Sequence, residues 1–324
     1  MKYIYGPLYS RRLGRSLGVD PIPMKTCNWN CVYCQLGRSV PLTNVRKDYV
    51  PRERILEELN QTLGILDLRQ LDWITIAGSG EPLLLASLGW LIRQIKTRTQ
   101  IPVAVITNGS LLYLPEVRED LMAADAVLPT VNAGSADIYF RVNRPHPEVT
   151  FERFVEGLMR FREAYTGQFW PEVMLIKGFN DSDHAMKAIA MLLAKMRPDR
   201  IHINLPIRPA AESWVLPPDQ ERIKRAIAIF GPLAQVIHLP QEQVDISQLG
   251  DVLQVIAGIV SRHPLWEEEI LAVLPHWQPE KIRAALSTLE ARGIIGSVHR
   301  QGRQYWCAPK SVFPKLNKDA AKAS

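Results

Sequence analysis

Thr26-Cys27-Asn28-Trp29-Asn30-Cys31-Val32-Tyr33-Cys34-Gln35-Leu36-Gly37 is the stretch on which the rest of the sequence depends. Three of the chain's four cysteines fall within it, spaced C-x3-C-x2-C. Thiolates this close along the chain can face one metal centre, because a short loop can curl around it. Iron–sulfur clusters are held by Cys thiolates, and three ligands to a cubane of four irons leave one iron without a protein ligand. Such an open position is what a catalytic metal site keeps for its chemistry. Zinc and inert thiols are the competing readings. Structural zinc usually takes four Cys or His ligands, and no His lies between Met1 and Val50. A disulfide framework belongs to small secreted chains with paired cysteines, which an odd cluster in 324 residues does not match.

Outward from that loop, the chain reads as a globular protein with one large and one small domain. It is 47% hydrophobic and 22% charged, an ordinary composition. No apolar run approaches the roughly 20 residues of a membrane span. The segment Met1-Lys2-Tyr3-Ile4-Tyr5-Gly6-Pro7 has no signal-peptide core, so a cytoplasmic protein with reduced thiols is expected. The net charge is +6, which mildly favours an anionic partner. Met1 to Arg54 holds ten Lys/Arg against three Asp/Glu, among them Arg11, Arg12, Arg15, Lys25, Arg38, Arg46 and Lys47 around the Cys loop. Two readings stand: a solvated surface ion-paired to later acidic helices, or a basic rim for RNA phosphates.

Short apolar runs alternate with helical patterns along the chain. Strands are expected at 16–20, 73–77, 102–106, 126–131, 171–177 and 201–205, with an extra one at 236–239; Pro129 weakens the fourth. Helices are expected from Pro51, through Leu84, Leu88, Leu91 and Ile95, from Pro115, over 151–165, from an Asp181 cap to Lys195, and over 218–230. Six strands alternating with six helices mean βαβ units and a parallel sheet, either doubly wound or a full or partial barrel. The Cys loop, Gly80-Glu81-Pro82, Asn108-Gly109 and Asn132-Ala133-Gly134 all follow strands, as function does in barrels. No G-x-G-x-x-G opens the first helix, so the dinucleotide-binding reading lacks its phosphate loop. Residues 241–250 read as a polar linker. Beyond it come helices over 252–261, after Pro264, and from Pro279 to a C′ Gly293. A hairpin flanking His299 to Arg303, with Gly302 at its tip, follows. Residues after Pro309 read as a disordered tail, and Cys307 as a buried thiol.

C-x3-C-x2-C with an aromatic residue just before its last Cys resembles the signature of the radical S-adenosylmethionine (SAM) enzymes. The resemblance implies a [4Fe–4S] cluster on Cys27, Cys31 and Cys34, whose open iron chelates SAM. It implies reductive cleavage of SAM to methionine and a 5′-deoxyadenosyl radical, with an electron donor such as flavodoxin or ferredoxin. It also implies the fold: a partial (β/α)6 TIM-like barrel, an α/β architecture that matches the strand count. Gly80-Glu81-Pro82 resembles the superfamily's "GGE" element, where a carboxylate accepts from the ammonium of methionine and glycine lets backbone and ligand come close. Glu81 could instead be an acid at a helix start. Tyr33 sits between ligands and could lie beside the adenine, or merely pack the loop. Asn108 could hold the ribose or adenine, or form a turn. Thr130-Val131-Asn132-Ala133 stands where many relatives have Ser-Leu-Asp-Ala; Thr130 keeps the hydroxyl and Asn132 replaces the acid. Lys177 is a further candidate at a strand end.

A closer resemblance covers roughly Tyr5 to Pro209. Ser10-Arg11-Arg12-Leu13-Gly14-Arg15-Ser16-Leu17-Gly18, Gln35-Leu36-Gly37 and Gly178-Phe179-Asn180-Asp181 look like a group of radical SAM Fe–S oxidoreductases similar to the tRNA wyosine-synthesising enzyme. Those enzymes carry a second cluster on N-terminal cysteines, and this chain has none before Cys27. The last 60 or so residues resemble a winged helix-turn-helix domain, or else a small packing or protein-binding module. The expected domains are therefore a radical SAM core over 1–240, the linker, a winged-helix-like domain over 251–309 and the tail 310–324. The substrate expected is tRNA or another nucleic acid. The alternatives are a protein or peptide substrate and, in another class, a non-catalytic iron–sulfur regulator.

Overall fold

The computed structural model describes residues 2–237, 250–300, 302–309, 311 and 313. An antiparallel pair, β1 (Ile4–Ser10) and β2 (Gly14–Val19), opens the chain. Strand β2 then starts a parallel sheet with β3 (Trp73–Ile76), β4 (Val103–Thr107), β5 (Ala126–Pro129) and β6 (Gln168–Phe169). Its register is Val19↔Ile76↔Val105↔Val127↔Phe169. A second parallel sheet holds β7 (Glu172–Met174), β8 (Ile201–Asn204) and β9 (Ala234–Val236). The two sheets join where Thr130, just past β5, bridges Glu172. Between β6 and β7, Trp170 still donates to Val127 O while Pro171 has no N–H to give. The wall is thus one curved parallel sheet, β2 to β9, with β1 on its outer edge. The partial barrel is in place.

The strands are apolar nearly throughout because helices cover the outer face. These are α1 (Arg52–Ile65), α2 (Leu88–Lys96), α3 (Pro115–Leu121), α4 (Ala136–Asn143), α5 (Phe151–Ala164), α6 (Asp183–Met196) and α7 (Gln220–Phe230). Each longer helix buries one stripe at three- and four-residue spacing, as in Phe154, Leu158 and Phe161 of α5. The sequence reading differs in places. Leu84 belongs to a 3₁₀ turn, Pro82–Leu84, ahead of α2. Ser182, not Asp181, caps α6, accepting from Ala185 N; Asp181 accepts from Gly178 N instead. Strand β1, which contains Gly6 and Pro7, and helix α4 were both unforeseen. Of the extra strand, 234–236 is present, and residues 238 and 239 lie outside the described residues. So do most of the linker, 241–249, and nearly all of the tail.

The C-terminal part comprises α8 (Val252–Val260), α9 (Glu267–Val273), α10 (Pro279–Ala291) and an antiparallel pair, β10 (Gly296–Arg300) and β11 (Arg303–Cys307). Gly293, at φ +65°, ends α10 as expected of a C′ residue, and Cys307 is buried. This module has its own apolar core, including Ile256, Ile270, Leu286 and Leu289. That core rests on Leu8 and Tyr9 of β1 and on Leu66. Among the described residues no helix is long and apolar enough to cross a membrane.

Candidate active site

Every expected site residue lies on a loop at, or past, the C-terminal end of a parallel strand, Lys177 on the loop after β7. The Cys loop follows β2, Gly80 to Pro82 follow β3, Asn108 follows β4, and Thr130 follows β5. Backbone hydrogen bonds tie the first two loops together: Lys25 N donates to Ser79 O at 2.6 Å, and Glu81 N to Thr26 O at 2.9 Å. Gly80 is where they touch. A Cβ there would lie 2.1 Å from Thr26 O and 2.4 Å from Ile22 Cγ2. The glycine therefore lets the Cys loop come close. Arg46 clamps the turn from below, donating to Leu83 O and Leu85 O and pairing with Asp120.

Cys27, Cys31 and Cys34 are partly buried and free of disulfides. Each sulfur has one side-chain N–H donor. Asn108 Nδ2 lies 3.9 Å from Cys27 Sγ, Asn143 Nδ2 3.8 Å from Cys31 Sγ, and Lys25 Nζ 3.2 Å from Cys34 Sγ. Burial pushes both the Cys27 and the Cys31 thiols up, Cys31 to about 12, with Glu81 and Cys34 respectively adding to it. Among the described residues no three His, Cys, Asp or Glu side chains converge on one point as around a single ion. A tetrahedral zinc would draw its thiolates to within about 4 Å of each other; a cubane with its cysteines on three different irons spreads them. Three donor-capped thiols on one loop suit the three protein ligands of a cubane that keeps one iron open.

Glu81 is buried and makes three bonds. Oε1 accepts from Leu83 N at 2.9 Å and from the Thr107 hydroxyl, and Oε2 accepts from Asn108 N at 2.8 Å. It caps the 3₁₀ turn and brackets the ends of β3 and β4 together. Burial pushes its carboxyl up to about 7 against those donors. A carboxylate has about four lone-pair sites, so one remains on Oε2. Tyr33 OH accepts from Asn132 Nδ2 at 2.7 Å and Asn143 Nδ2 at 3.4 Å. Asn132, buried, also accepts from Met174 N at 2.7 Å. In place of an acid, it serves as a neutral hub. Among the described residues the Thr130 hydroxyl has only a long contact, 3.5 Å, to Thr107 O. Lys177 is exposed.

Several contributors escaped the sequence reading as members of the site. Asn28 accepts from Asn108 Nδ2 at 2.8 Å and donates to Ser110 and Asn44. Asn180 donates to Asn132 O and Met174 O. Asp20 accepts from Ser79 N and Oγ. Asn180 stood inside a quoted motif; Asn143 carried no signal at all. The basic segment is mostly ion-paired: Arg12 to Glu172, Arg15 to Asp72, Arg38 to Glu212 and Arg46 to Asp120.

The family model described as the radical SAM superfamily matches residues 22–189, just over half of the chain. The chain belongs to the radical SAM superfamily. It is therefore an enzyme that uses a [4Fe–4S] cluster and SAM, which sets aside zinc and the non-catalytic regulator. It is similar to a UPF0026 protein of Methanocaldococcus jannaschii, 32% identical over 278 residues, 85% of this chain and 86% of that protein. It is also 41% identical over 229 residues to a Brachyspira hyodysenteriae protein named GTPase Obg, covering 71% of this chain but only 33% of that one. This radical SAM chain thus spans about a third of the Brachyspira protein. Among solved structures, a radical SAM methyltransferase from Sphaerobacter thermophilus aligns with a TM-score of 0.52 at 18% identity, over 68% of this chain and 65% of that one. That likeness concerns the fold alone.

Proposed function

We propose that Cys27, Cys31 and Cys34 hold the cluster, and that Tyr33, Gly80, Glu81, Pro82, Asn108 and Thr130 form the SAM side of the site. When bound, the cluster and SAM supply the electron transfer and the 5′-deoxyadenosyl radical that abstracts hydrogen from a substrate. The chain's part is to hold and orient. The observation that carries the reading is that each cysteine sulfur has its own N–H donor while Asn108 links Cys27 to Glu81. The remaining lone pair of Glu81 Oε2 would accept from an ammonium group, and the amides of Asn132 and Asn143 hold Tyr33.

The finer reading is a tRNA or other nucleic-acid substrate, with a flavodoxin or ferredoxin as donor and a winged-helix-like module over 251–309. The net charge of +6 and the three helices followed by a hairpin support it. The paired arginines do not add to it, since Arg12, Arg15, Arg38 and Arg46 already have carboxylates.

The test is anaerobic. The protein is reconstituted with iron and sulfide, reduced with dithionite and given SAM, with and without bulk tRNA. Formation of 5′-deoxyadenosine that vanishes in Cys31→Ala is the expected result, with faster turnover on tRNA. Equal product from Cys31→Ala would overturn the ligand assignment, and indifference to tRNA would overturn the substrate.

A further inference from the structure

Four arginines gather where the barrel meets the C-terminal module, here called its open side. Arg11 and Arg12 stand at the turn between β1 and β2, Arg208 on the loop after β8, and Arg262 just after α8. Three have carboxylates of their own: Arg12 pairs with Glu172, Arg208 with Glu269, and Arg262 with Asp20 at 2.7 Å. Arg11 has no such partner among the described residues, and its Nη1 is buried without a hydrogen bond. The two acids that act on it, Glu172 and Glu269, are those already held by Arg12 and Arg208. One positive charge is left over.

The surroundings register that surplus. Burial, then Arg12 and Arg208, push the Arg11 guanidinium down to about 10. His263, 5.8 Å from the Tyr5 ring, is pushed down to about 3 by burial and then by Arg208, Arg11, Arg262 and Arg12. The imidazole is neutral at pH 7 and adds no charge. A partly buried, unpaired guanidinium beside other arginines is costly. An oxyanion would relieve it, since the planar fork of Arg matches carboxylate and phosphate. His263 and the backbone beside it also meet the Cys loop. Gln35, the residue after Cys34, donates to Arg262 O at 3.0 Å and lies 3.3 Å from His263 Nδ1.

We propose that Arg11 is the recognition group of an oxyanion site on the open side of the barrel, backed by Arg12, Arg208 and His263, and that the substrate places a phosphate or carboxylate there. This deepens the proposed function and rests on it for the identity of the ligand as substrate.

The experiment titrates inorganic phosphate and, separately, acetate into the reconstituted full chain, by calorimetry and by thermal melting. Wild type, Arg11→Gln, Arg11→Lys and Arg15→Gln are compared; Arg15 lies on the same strand pair but faces Asp72. At least one anion binds wild type at a single site, and Arg11→Gln weakens it about tenfold or more. Arg11→Lys, which keeps the charge without the fork, loses less, and Arg15→Gln matches wild type. Without anion, Arg11→Gln melts no lower than wild type, because the uncompensated charge is gone; a merely structural arginine would lower it. The preferred anion tells phosphate from carboxylate. No binding by either anion, equal binding by Arg11→Gln, or equal loss in Arg15→Gln overturns the proposal. None of these readouts uses SAM cleavage, so the anion site and the cluster assignment can fail separately.

Discussion

The cysteine rim and the open side of the barrel are both polar and both largely buried, yet they are built from different groups. Around the cysteines the polar side chains are mostly neutral amides: Asn28, Asn108, Asn132, Asn143 and Asn180 bond to one another, to Tyr33 and to the backbone. On the open side the groups are ions, with Arg12, Arg208 and Arg262 against Glu172, Glu269 and Asp20. Amides satisfy buried donors and acceptors without setting a fixed charge beside an electron-accepting centre, apart from Lys25 at Cys34 and Glu81 near Cys27. Ions bind more strongly when paired and cost far more when a partner is lost. The rim therefore suits tuning, and the open side suits locking the C-terminal module to the barrel.

That contrast sets the order of expected effects. Arg262→Ala strands Asp20, whose side chain is 4% exposed, and removes the donor to Lys2 O. It should cost about 3–5 kcal/mol in chemical denaturation. Asn132→Ala on the rim leaves Tyr33 OH and Met174 N short of a partner and should cost about 1–3 kcal/mol. Equal losses would erase the distinction between the two regions.

The pH dependence should also have opposite signs. His263 has its folded pKa pushed down to about 3, below its unfolded value of 6.5. Stability from that group is full above pH 6.5 and is lost as the pH falls towards 3. Glu172, held down to about 2 chiefly by Arg12 against its burial, adds a loss below pH 4.5. Glu81 has its folded pKa raised from 4.5 to about 7, so stability falls as the pH rises through that window and levels off above it. Denaturation midpoints of His263→Asn and Glu81→Gln between pH 4 and 8 should each remove one of the opposing slopes. Parallel curves for both variants and wild type would contradict the assignment.

How much of this was legible follows from how far apart the partners are in sequence. Six of the eight parallel strands, β2 to β5, β7 and β8, and the four loops at their ends could be read because apolar runs, Gly and Asn mark them locally; the two-residue β6 could not. Strand β1 could not, since Gly6 and Pro7 mask its pattern, and α4 is only Ala136–Asn143. The three cysteines were legible from spacing alone. The Asp20–Arg262 pair joins residues 242 positions apart, and the Asn143 contact to Cys31 spans 112; neither leaves a trace in any short window. Nor does the surplus of Arg11, which appears only once the partners of its three neighbours are known.

The smallest expected effect lies at the sulfurs. Losing an N–H donor disfavours the more electron-rich reduced cluster and lowers its potential. Lys25→Met should lower it more than Asn108→Ala or Asn143→Ala, because a charge goes with the donor. A redox titration followed by electron paramagnetic resonance checks the order.

The central claim is that the three cysteines of one loop hold a cubane with an iron left open for SAM. The most direct measurement is metal and sulfide analysis of the reconstituted chain, joined to the resonance spectrum of the reduced protein before and after SAM. About four irons and four sulfides per chain, with a spectrum that changes on adding SAM, are predicted. A single zinc per chain, or a cluster whose spectrum SAM leaves untouched, would contradict the account.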